Sequence, residues 1–295
     1  MGFKYKIVTD SSVDMMPSFA DENEISIIPM SYIIGEDEFN CDHVETDEER
    51  ARFYKAQRDG KETKTSQTSP QSCIDVFTEY AKQGIDVLCL SLDSGISGSF
   101  NSASMAAQVV MDDYPGVKIM AVDTLAATAG IGLLLEYAAM NRANGMTIEE
   151  NAAWINENKL RVQHWFMVDD LMYLKKGGRI PATTAIIGTA LNIKPILKIE
   201  ADGKLSNFAK KRGAKLAMST LVSYYANESS KENGEIVYLI HSDSPESARY
   251  LEAEAKKINP GCVTRTVQLS PVIGAHTGPG MCAIVYLSSM DDARK

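Results

Sequence analysis

The sequence lacks any apolar run that approaches the roughly 18 residues needed to cross a membrane. It also lacks an excess of basic residues, since 30 Lys and Arg stand against 39 Asp and Glu and give a formal net charge of −9. This acidic balance argues against general affinity for nucleic acid or for an anionic membrane. The opening residues MGFKYKIVTD match a strand pattern and contain no signal-peptide core. We therefore expect a cytoplasmic protein that does not bind nucleic acid.

Cysteine is scarce, and the spacing of the cysteines matches no common disulfide or metal-binding motif. The chain has an odd number of cysteines, scattered and without a C-x-x-C pair: Cys41, Cys73, Cys89, Cys262 and Cys282. Such a set predicts buried thiols in a reducing compartment, not a disulfide framework or a zinc site. We expect no metal site and no cofactor.

Short apolar, β-branched runs alternate with amphipathic stretches through the first half of the chain. The runs predict strands at 6–10, 25–34, 86–92 and 118–124, and the stretches predict helices at 45–58, 70–83, 99–113 and 126–143. Strands that are apolar on both faces are typical of a parallel sheet covered by helices. The first half is therefore predicted to be an α/β domain.

The pattern changes after about residue 160. Predicted strands at 163–170, 235–241, 262–269 and 282–288 are mixed with helices at 213–231 and 245–258, and two short helices are divided at Gly177-Gly178. Asp202-Gly203 predicts a two-residue hairpin turn within 194–212. Because 295 residues are enough for two cores, we predict an N-terminal parallel-sheet domain at 1–163 and a C-terminal α+β domain at 164–295.

Three polar segments differ from ordinary connecting loops. KTSQTSP (64–70) and SLDSGISGSFNSASMAA (91–107) place hydroxyls ahead of predicted helices, and SPVIGAHTGPGM (270–281) places one histidine in a glycine-rich turn between two predicted strands. Each segment also has a plain structural interpretation. The first is a helix cap, the second packs a helix tightly on a sheet, and the third contains a structural histidine. Hydroxyls, free backbone N–H groups and an imidazole, with few cations, suit one small anion, and a phosphate site would usually contain more Arg or Lys.

An ordered set of motifs resembles the DegV family of bacterial fatty-acid-binding proteins. The matching stretches are VTDSSVDM (8–15), KTSQTSP (64–70), SGISGSFNSA (94–103), VDTLAATAG (122–130), LMYLKKGGRI (171–180), LNIKPIL (191–197), DGKLSNFAKKRGAK (202–215) and IGAHTGPG (273–280). Two departures are mild. Thr124 stands where many members have Ser, and Thr68 and Ser69 stand between the Gln and the Pro of the first polar motif. Neither removes a hydroxyl from the implied site, and the resemblance covers almost the whole chain.

The resemblance implies a two-domain fold with a long-chain fatty acid between the domains. The positions that match the family's carboxylate-binding residues are Thr65, Ser97 and His276, and the adjacent Gly98 and Ser66 are further candidates for binding the carboxylate. The acyl tunnel is expected mainly in the C-terminal domain. The resemblance also implies a separate fatty acid kinase, which converts the bound acid to an acyl phosphate for phospholipid synthesis. The protein itself is then a carrier subunit and not an enzyme.

Two further groups of residues complete the predicted site. The small, apolar run 184–197 supplies the candidate tunnel residues Ile186, Ile187, Leu191 and Ile193. Six basic residues cluster in the second half: Lys175, Lys176, Arg179, Lys210, Lys211 and Arg212. They form either a solvated face or a docking patch for the kinase, for anionic lipid or for the acyl phosphate. Arg179 and Arg212 match arginine positions of the family and are candidates for partner docking, and transient membrane contact is compatible with the same patch.

Two other functions stay open. Ser97 and His276 could act as nucleophile and base of an acyl hydrolase or transferase, which requires an orienting acid such as Asp10, Asp93 or Asp123. A lipid sensor whose loaded state binds another partner is the second alternative. Chain length, unsaturation and oligomeric state are not encoded in any visible motif, and we expect a monomer.

Overall fold

The structure is a computed structural model that describes residues 3–181, 183 and 192–294. Its strands are β1 (Lys6–Asp10), β2 (Ser26–Ile28), β3 (Met30–Ile34), β4 (Asp37–Cys41), β5 (Thr63–Ser66), β6 (Val87–Ser91), β7 (Ile119–Asp123), β8 (Val162–Met167), β9 (Ile193–Ile199), β10 (Leu205–Arg212), β11 (Ile236–His241), β12 (Val263–Gln268) and β13 (Cys282–Leu287). Its helices are α1 (Pro17–Glu22), α2 (Asp47–Arg58), α3 (Pro70–Ala81), α4 (Ser99–Asp113), α5 (Ala129–Ala143), α6 (Ile148–Asn158), α7 (Met172–Lys176), α8 (Ala214–Glu228), α9 (Pro245–Ile258) and α10 (Pro271–Thr277). The mixed α/β class predicted from the sequence is confirmed.

A parallel sheet in the order β2-β1-β6-β7 forms the centre of the N-terminal half. Every residue of β6 is buried, and alternate residues face opposite sides. Val87 and Cys89 pack with α3 and α4, while Leu88 and Leu90 pack in the cluster that contains α5. Helices therefore cover both faces, which explains why these strands are apolar throughout.

A small antiparallel sheet in the order β4-β3-β5 was not predicted. The run 25–34 was expected to be one strand, but it divides at Pro29 into β2 of the parallel sheet and β3 of the small sheet. Proline has no N–H to donate to a sheet ladder, so the chain can change partners at this position. Strand β5 lies within the polar segment 64–70 and brings Thr65 opposite Tyr32.

The C-terminal half contains a sheet in the order β10-β9-β8-β13-β11-β12, antiparallel except for the pair β11–β12. Helices α8 and α9 pack on one face, and α5 packs on the other. Because α5 also contacts β6 of the parallel sheet, it lies between the two sheets, and most of its residues are buried. The predicted domain boundary at 163/164 falls within β8 and stays a prediction.

Several predicted elements need correction. The segment 270–281 is not a turn between strands, because α10 occupies Pro271–Thr277. Ser270 stands at its N-cap position, Pro271 begins it, and Gly278 ends it with φ of 72°, which are ordinary start and stop signals. The hairpin at 194–212 is confirmed, but its ends meet at Ile199 and Leu205, so the connection is longer than two residues.

Other outcomes concern helices and cysteines. Helices α1 and α6 and strand β4 were not predicted. Of the two short helices expected around Gly177-Gly178, the first is α7 and the second falls on residues outside the described ones. All five cysteines are buried and free, as predicted. Among the helices of the described residues, none has the length and apolar character to cross a membrane.

Candidate functional site

One cavity lies between the two large sheets, and it is mainly apolar. Its wall includes Leu92 and Ile96 from the loop after β6, Phe166 of β8, Ile199 of β9 and Val285 of β13. The cavity is narrow, with a volume of about 70 Å³. Residues far apart in sequence thus form one mainly apolar wall.

The polar side chains of the cavity include the three residues predicted to bind a carboxylate. Thr65, Ser97 and His276 all line it, together with Gln67 and Arg179. Thr65 Oγ1 lies 2.8 Å from His276 Nε2, although the two residues are 211 positions apart. The three polar segments therefore meet at this cavity, while the binding of a carboxylate by these residues stays a prediction.

Ser97 is held in the loop that leads into α4. Its Oγ accepts a hydrogen bond from the backbone N–H of Ser99 at 3.2 Å and lies 3.0 Å from Ser99 Oγ. Gly98 allows this loop to approach the other polar segment, because a Cβ at this position would lie 2.3 Å from Gln67 Oε1. Ser99 Oγ also accepts from the backbone N–H of Thr68 at 3.3 Å. The two hydroxyl-rich segments are therefore packed directly against each other.

Helix α10 fixes the position of His276 through contacts with α2. The Tyr54 hydroxyl donates to the carbonyl of Leu269 at 2.9 Å, and Gln57 donates to the carbonyl of Gly274 at 3.1 Å. Gly274 permits this close packing, since a Cβ there would lie 2.5 Å from the Tyr54 oxygen. His276 lies in the last turn of the helix, and the surrounding contacts leave its ring little freedom.

Gly177, at the end of α7, packs against the other side of the His276 ring. A Cβ at Gly177 would lie 2.1 Å from His276 Nδ1, so a larger residue would displace the imidazole. This Nδ1 is buried and has no hydrogen-bond partner among the described residues. The imidazole is therefore held by Thr65 on one side and by the bare backbone of Gly177 on the other.

Burial and the nearby Arg179 guanidinium lower the pKa of His276 to about 4. The imidazole is thus neutral near pH 7. Arg179 is half-buried, donates from Nε to the carbonyl of Ile96 at 3.1 Å and also donates to the carbonyl of Gly177. Burial lowers the pKa of Arg179 as well, but an arginine stays charged at neutral pH. The positive charge at this end of the cavity is therefore that of Arg179.

The VTDSSVDM segment (8–15) does not line the cavity but holds the elements that carry its polar residues. Asp14 is fully buried, accepts a hydrogen bond from the backbone N–H of Ser270 at 2.8 Å and from the Thr128 hydroxyl, and lies 3.8 Å from Arg50. Burial raises the pKa of Asp14 to about 6, even though Arg50 opposes that rise. Asp10, four residues earlier, accepts from the backbone N–H of Leu92 at 2.8 Å. One short loop therefore anchors the starts of α5 and α10 and the loop that carries Ser97.

A surface groove meets the polar end of the cavity. Thr65, Arg179 and His276 line both spaces, and the groove also includes Lys64 and Lys176. A ligand head group at Thr65 and His276 would consequently be reachable from the surface. Arg179, predicted as a docking residue, lies at this junction and not on an exposed face.

Other predicted residues lie elsewhere. Ser66 is exposed, because alternation along β5 turns it to the face opposite Thr65. Ile193 begins β9, but the cavity wall on that strand is formed by Ile199. Arg212 is an exposed residue at the end of β10, and its docking role stays a prediction. The tunnel candidates Ile186, Ile187 and Leu191 lie outside the described residues.

Sequence reasoning missed four features of the site. Gln67 and Thr128 line the cavity within motifs that were quoted for their resemblance and given no role, and His164 lines it without any motif. The half-buried position of Arg179 at the mouth of the cavity was also missed. Thr128 has φ of 52°, which is unusual for a β-branched residue and typical of strained positions near binding sites. No composition signal distinguishes such a threonine in the sequence.

The acyl-hydrolase alternative requires a hydrogen-bonded Ser–His–acid series, which the described residues do not contain. His276 is bonded to Thr65 and Ser97 to Ser99. The candidate orienting acids are Asp10, Asp93 and Asp123. The carboxylate of each accepts a hydrogen bond from a backbone N–H group two residues further along the chain instead of one from His276. Burial raises the pKa of Asp93 to about 7, but its bonded neighbour is the N–H of Gly95.

No metal-binding group of three or more His, Cys, Asp or Glu side chains occurs in the described part of the chain.

Comparisons with known proteins agree with this fold. The model of the DegV family matches residues 4–289, and a DegV domain-containing protein of Clostridium perfringens is 36% identical over 284 residues, which are 96% of this chain and 97% of the relative. The chain belongs to the DegV family. Among solved structures, DegV, a fatty acid binding protein from Bacillus subtilis, is 26% identical with a TM-score of 0.85 over 98% of this chain and 100% of that chain. A stearic acid-binding protein from Eubacterium ventriosum is 25% identical with a TM-score of 0.85 over 96% of this chain and 98% of that chain.

Proposed function

We propose that this protein binds one long-chain fatty acid, with the carboxylate at Thr65, Ser97 and His276 and the alkyl chain in the apolar cavity. The observation that carries the proposal is the asymmetry of the cavity. Hydroxyls, an imidazole and one guanidinium meet at its mouth, whereas side chains such as Phe166 and Val285 form its walls. The fatty-acid-binding neighbours from Bacillus subtilis and Eubacterium ventriosum support the same ligand class.

The energetics favour a ligand with a long apolar part. Burial of one methylene contributes about 0.8 kcal/mol, so a sixteen-carbon chain contributes on the order of 10 kcal/mol before association costs are subtracted. The carboxylate must keep its hydrogen bonds when it leaves water, because an unpaired buried charge is strongly unfavourable. The Thr65 and Ser97 hydroxyls can donate to it, and Arg179 supplies the opposite charge nearby.

Native mass spectrometry of the purified protein tests this proposal directly. We expect a mass increment that matches one fatty acid, and organic extraction after denaturation should release the same lipid in equimolar amount. Protein stripped of lipid should take up palmitate or oleate with a stoichiometry of one. A protein that purifies empty and fails to take up either acid would contradict the proposal.

We further infer that the loaded protein is a carrier which presents the carboxylate to a separate fatty acid kinase. The family resemblance motivates this role, and the surface groove supports it because it reaches Thr65, Arg179 and His276 from outside. The neutral state of His276 is also compatible with transfer. A permanent cation at that position would hold the anion more firmly and oppose its release to the kinase.

Paired measurements of fatty-acid affinity and of acyl-phosphate production by the kinase test whether the protein presents its ligand to that enzyme. His276→Ala should reduce kinase-dependent phosphorylation more than it reduces fatty-acid affinity, because the alkyl chain provides most of the binding energy. His276→Lys should keep binding and slow the transfer. If His276→Ala transfers normally while its melting temperature falls sharply, the imidazole has only a structural role.

A further inference from the structure

Strand β5 lies at the edge of the small antiparallel sheet and pairs on one side only, with β3. The hydrogen bonds between the two strands show which main-chain groups this edge presents. Gly35 N–H donates to the Glu62 carbonyl at 2.9 Å, and antiparallel residues alternate between hydrogen-bonded and non-hydrogen-bonded pairs. Lys64 therefore bonds to β3, whereas the N–H and C=O groups of Thr63 and Thr65 point away from it.

The outward main-chain groups of Thr63 and Thr65 make no hydrogen bond to another described residue. Both residues are only partly buried, so these groups lie near the surface. An edge strand with such groups is a template on which another extended chain can pair. The edge of β5 can therefore accept one more strand.

The surface groove described above runs along this edge. Neighbouring side chains of a strand point to opposite faces of the sheet, yet the groove is lined by every residue of the run 60–65. A space that contacts consecutive residues of a strand lies beside its main chain and not over one face. The volume of the groove is about 510 Å³, which is in the range of ligand pockets.

Helix α7 forms the opposite wall of the groove. Met172, Tyr173 and Lys176 line it from this helix, and Met172 is one of the exposed large apolar side chains of the protein. An extended chain between β5 and α7 would bond to the strand through its main chain and contact the helix with its side chains. Recognition by strand addition uses this division, since main-chain bonds give affinity and side-chain contacts give specificity.

The charges of the groove indicate the chemistry of its partner. Its charged lining residues are Lys61, Lys64, Lys176, Arg179, Glu62 and Asp170. Lys64 pairs with Glu62 at 3.3 Å, and Asp170 accepts from the backbone N–H of Met172 at 2.8 Å. The groove thus has an excess of positive charge on a protein whose formal net charge is −9. Two copies of such a groove repel each other, whereas an acidic segment is attracted.

We propose that β5 is the docking strand for the kinase, and that an extended, acidic segment of the kinase adds to this edge and lies in the groove. This inference rests on the proposed carrier role. Pairing with Thr63 and Thr65 brings the segment beside the Thr65 hydroxyl, which lies 2.8 Å from His276 Nε2 at the mouth of the cavity. The kinase is thereby placed next to the carboxylate that it must reach.

Amide hydrogen exchange resolved at single residues tests the pairing, on palmitate-loaded protein with and without the host's fatty acid kinase. In the free protein the amides of Thr63 and Thr65 should exchange rapidly, whereas the Lys64 amide, bonded to β3, should be protected. In the complex both threonine amides should become protected, and Lys64 should change little. Rapid exchange of Thr63 and Thr65 in a complex that still yields acyl phosphate would overturn the inference and leave the proposed function intact.

Thr63→Pro removes one outward N–H without touching the bonds to β3, and proline is tolerated on edge strands. It should weaken kinase binding by about tenfold or more, because a carbonyl of the docked segment loses its donor. Thr63→Val is the matched control, since it keeps the N–H and loses only the hydroxyl that accepts from Gln57. Both variants should bind palmitate as the wild type does, and wild-type kinase binding by Thr63→Pro would contradict the pairing.

Lys61→Glu and Lys176→Glu change the charge of the two walls and leave the strand unaltered. Each should slow association with the kinase and reduce its dependence on ionic strength. Lys82→Glu, at an exposed lysine that ends α3 outside the groove, should not. Unchanged association of both groove variants would overturn the acidic partner.

Two further outcomes also decide the matter. Protection of Thr63 and Thr65 at raised protein concentration, without kinase, would assign the edge to a second copy of this chain and overturn the inference. If loaded wild-type protein forms neither a complex nor acyl phosphate with the kinase, the carrier role and the docking strand are both wrong, while fatty-acid binding is judged by its own titration.

Discussion

The exchange Thr65→Val removes one hydroxyl from the polar end of the cavity and changes little else. Valine keeps the β-branched shape that suits a strand, and the backbone pairing of Thr65 with Tyr32 does not involve the side chain. The lost atom, Oγ1, lies 2.8 Å from His276 Nε2. The variant therefore tests the hydroxyl and not the fold of β5.

The expected loss follows from the bonds that one hydroxyl can make. Oγ1 can accept from His276 Nε2–H and at the same time donate to a carboxylate. A hydrogen bond to a charged group contributes about 1.5–3 kcal/mol, so we expect palmitate affinity to fall by roughly tenfold to a hundredfold. If His276 acts mainly through this hydroxyl, the double variant with His276→Ala should lose clearly less than the sum of the two single losses.

Isothermal titration with palmitate, together with thermal unfolding, measures both effects. Thr63→Val is a matched control on the same strand, because the Thr63 hydroxyl accepts a hydrogen bond from Gln57 and lines only the surface groove. It should bind palmitate as the wild type does. Wild-type affinity in Thr65→Val, at an unchanged melting temperature, would place the carboxylate elsewhere, and strictly additive losses would refute the shared role of Thr65 and His276.

Three further predictions concern single substitutions. Ser97→Ala should weaken palmitate binding by roughly tenfold to a hundredfold in the same titration, for the same reason as at Thr65. Gly177→Ala should also weaken binding, since its Cβ would lie 2.1 Å from His276 Nδ1, whereas Gly116→Ala, which meets no atom within 4 Å, should not. Burial lowers the pKa of His164 to about 3 in the folded protein, below the 6.5 that is ordinary for histidine, so the unfolded chain binds the proton first as the pH falls and stability declines between these values. Relative to His164→Leu, the wild type should therefore lose about 2 kcal/mol of unfolding free energy between pH 7 and pH 5 in denaturant titrations.

Helices α2 to α5 were predictable because local signals define them. Ser69 and Pro70 begin α3, and the small residues of α4 pack on the parallel sheet as their spacing indicates. The same signals stand at Ser270, Pro271 and Gly278, yet there the glycine content suggested a turn. Helix α10 shows that a proline start and a glycine stop outweigh one internal glycine when the helix packs tightly on α2.

The small sheet could not be predicted from its strands. Strand β5 consists of Thr63–Ser66, a polar segment whose pairing with β3 is decided by contacts far away in the chain. Its alternation also decides the site, since Thr65 turns inward and Ser66 turns outward. A resemblance to a family can name both residues, but only the register of the strand separates them.

The polar mouth and the loop behind it explain why three distant segments converge. Asp10 holds the end of β6, and Asp14 holds the starts of α5 and α10. Neither carboxylate lines the cavity in the described residues, so each acts on ligand binding only through the elements it anchors. Because Ser97 follows β6 and His276 lies in the last turn of α10, a change at this loop should alter the spacing between the hydroxyl and the imidazole. The VTDSSVDM segment thus contributes to the site by positioning Ser97 and His276, although Asp10 and Asp14 are not among the residues that line the cavity.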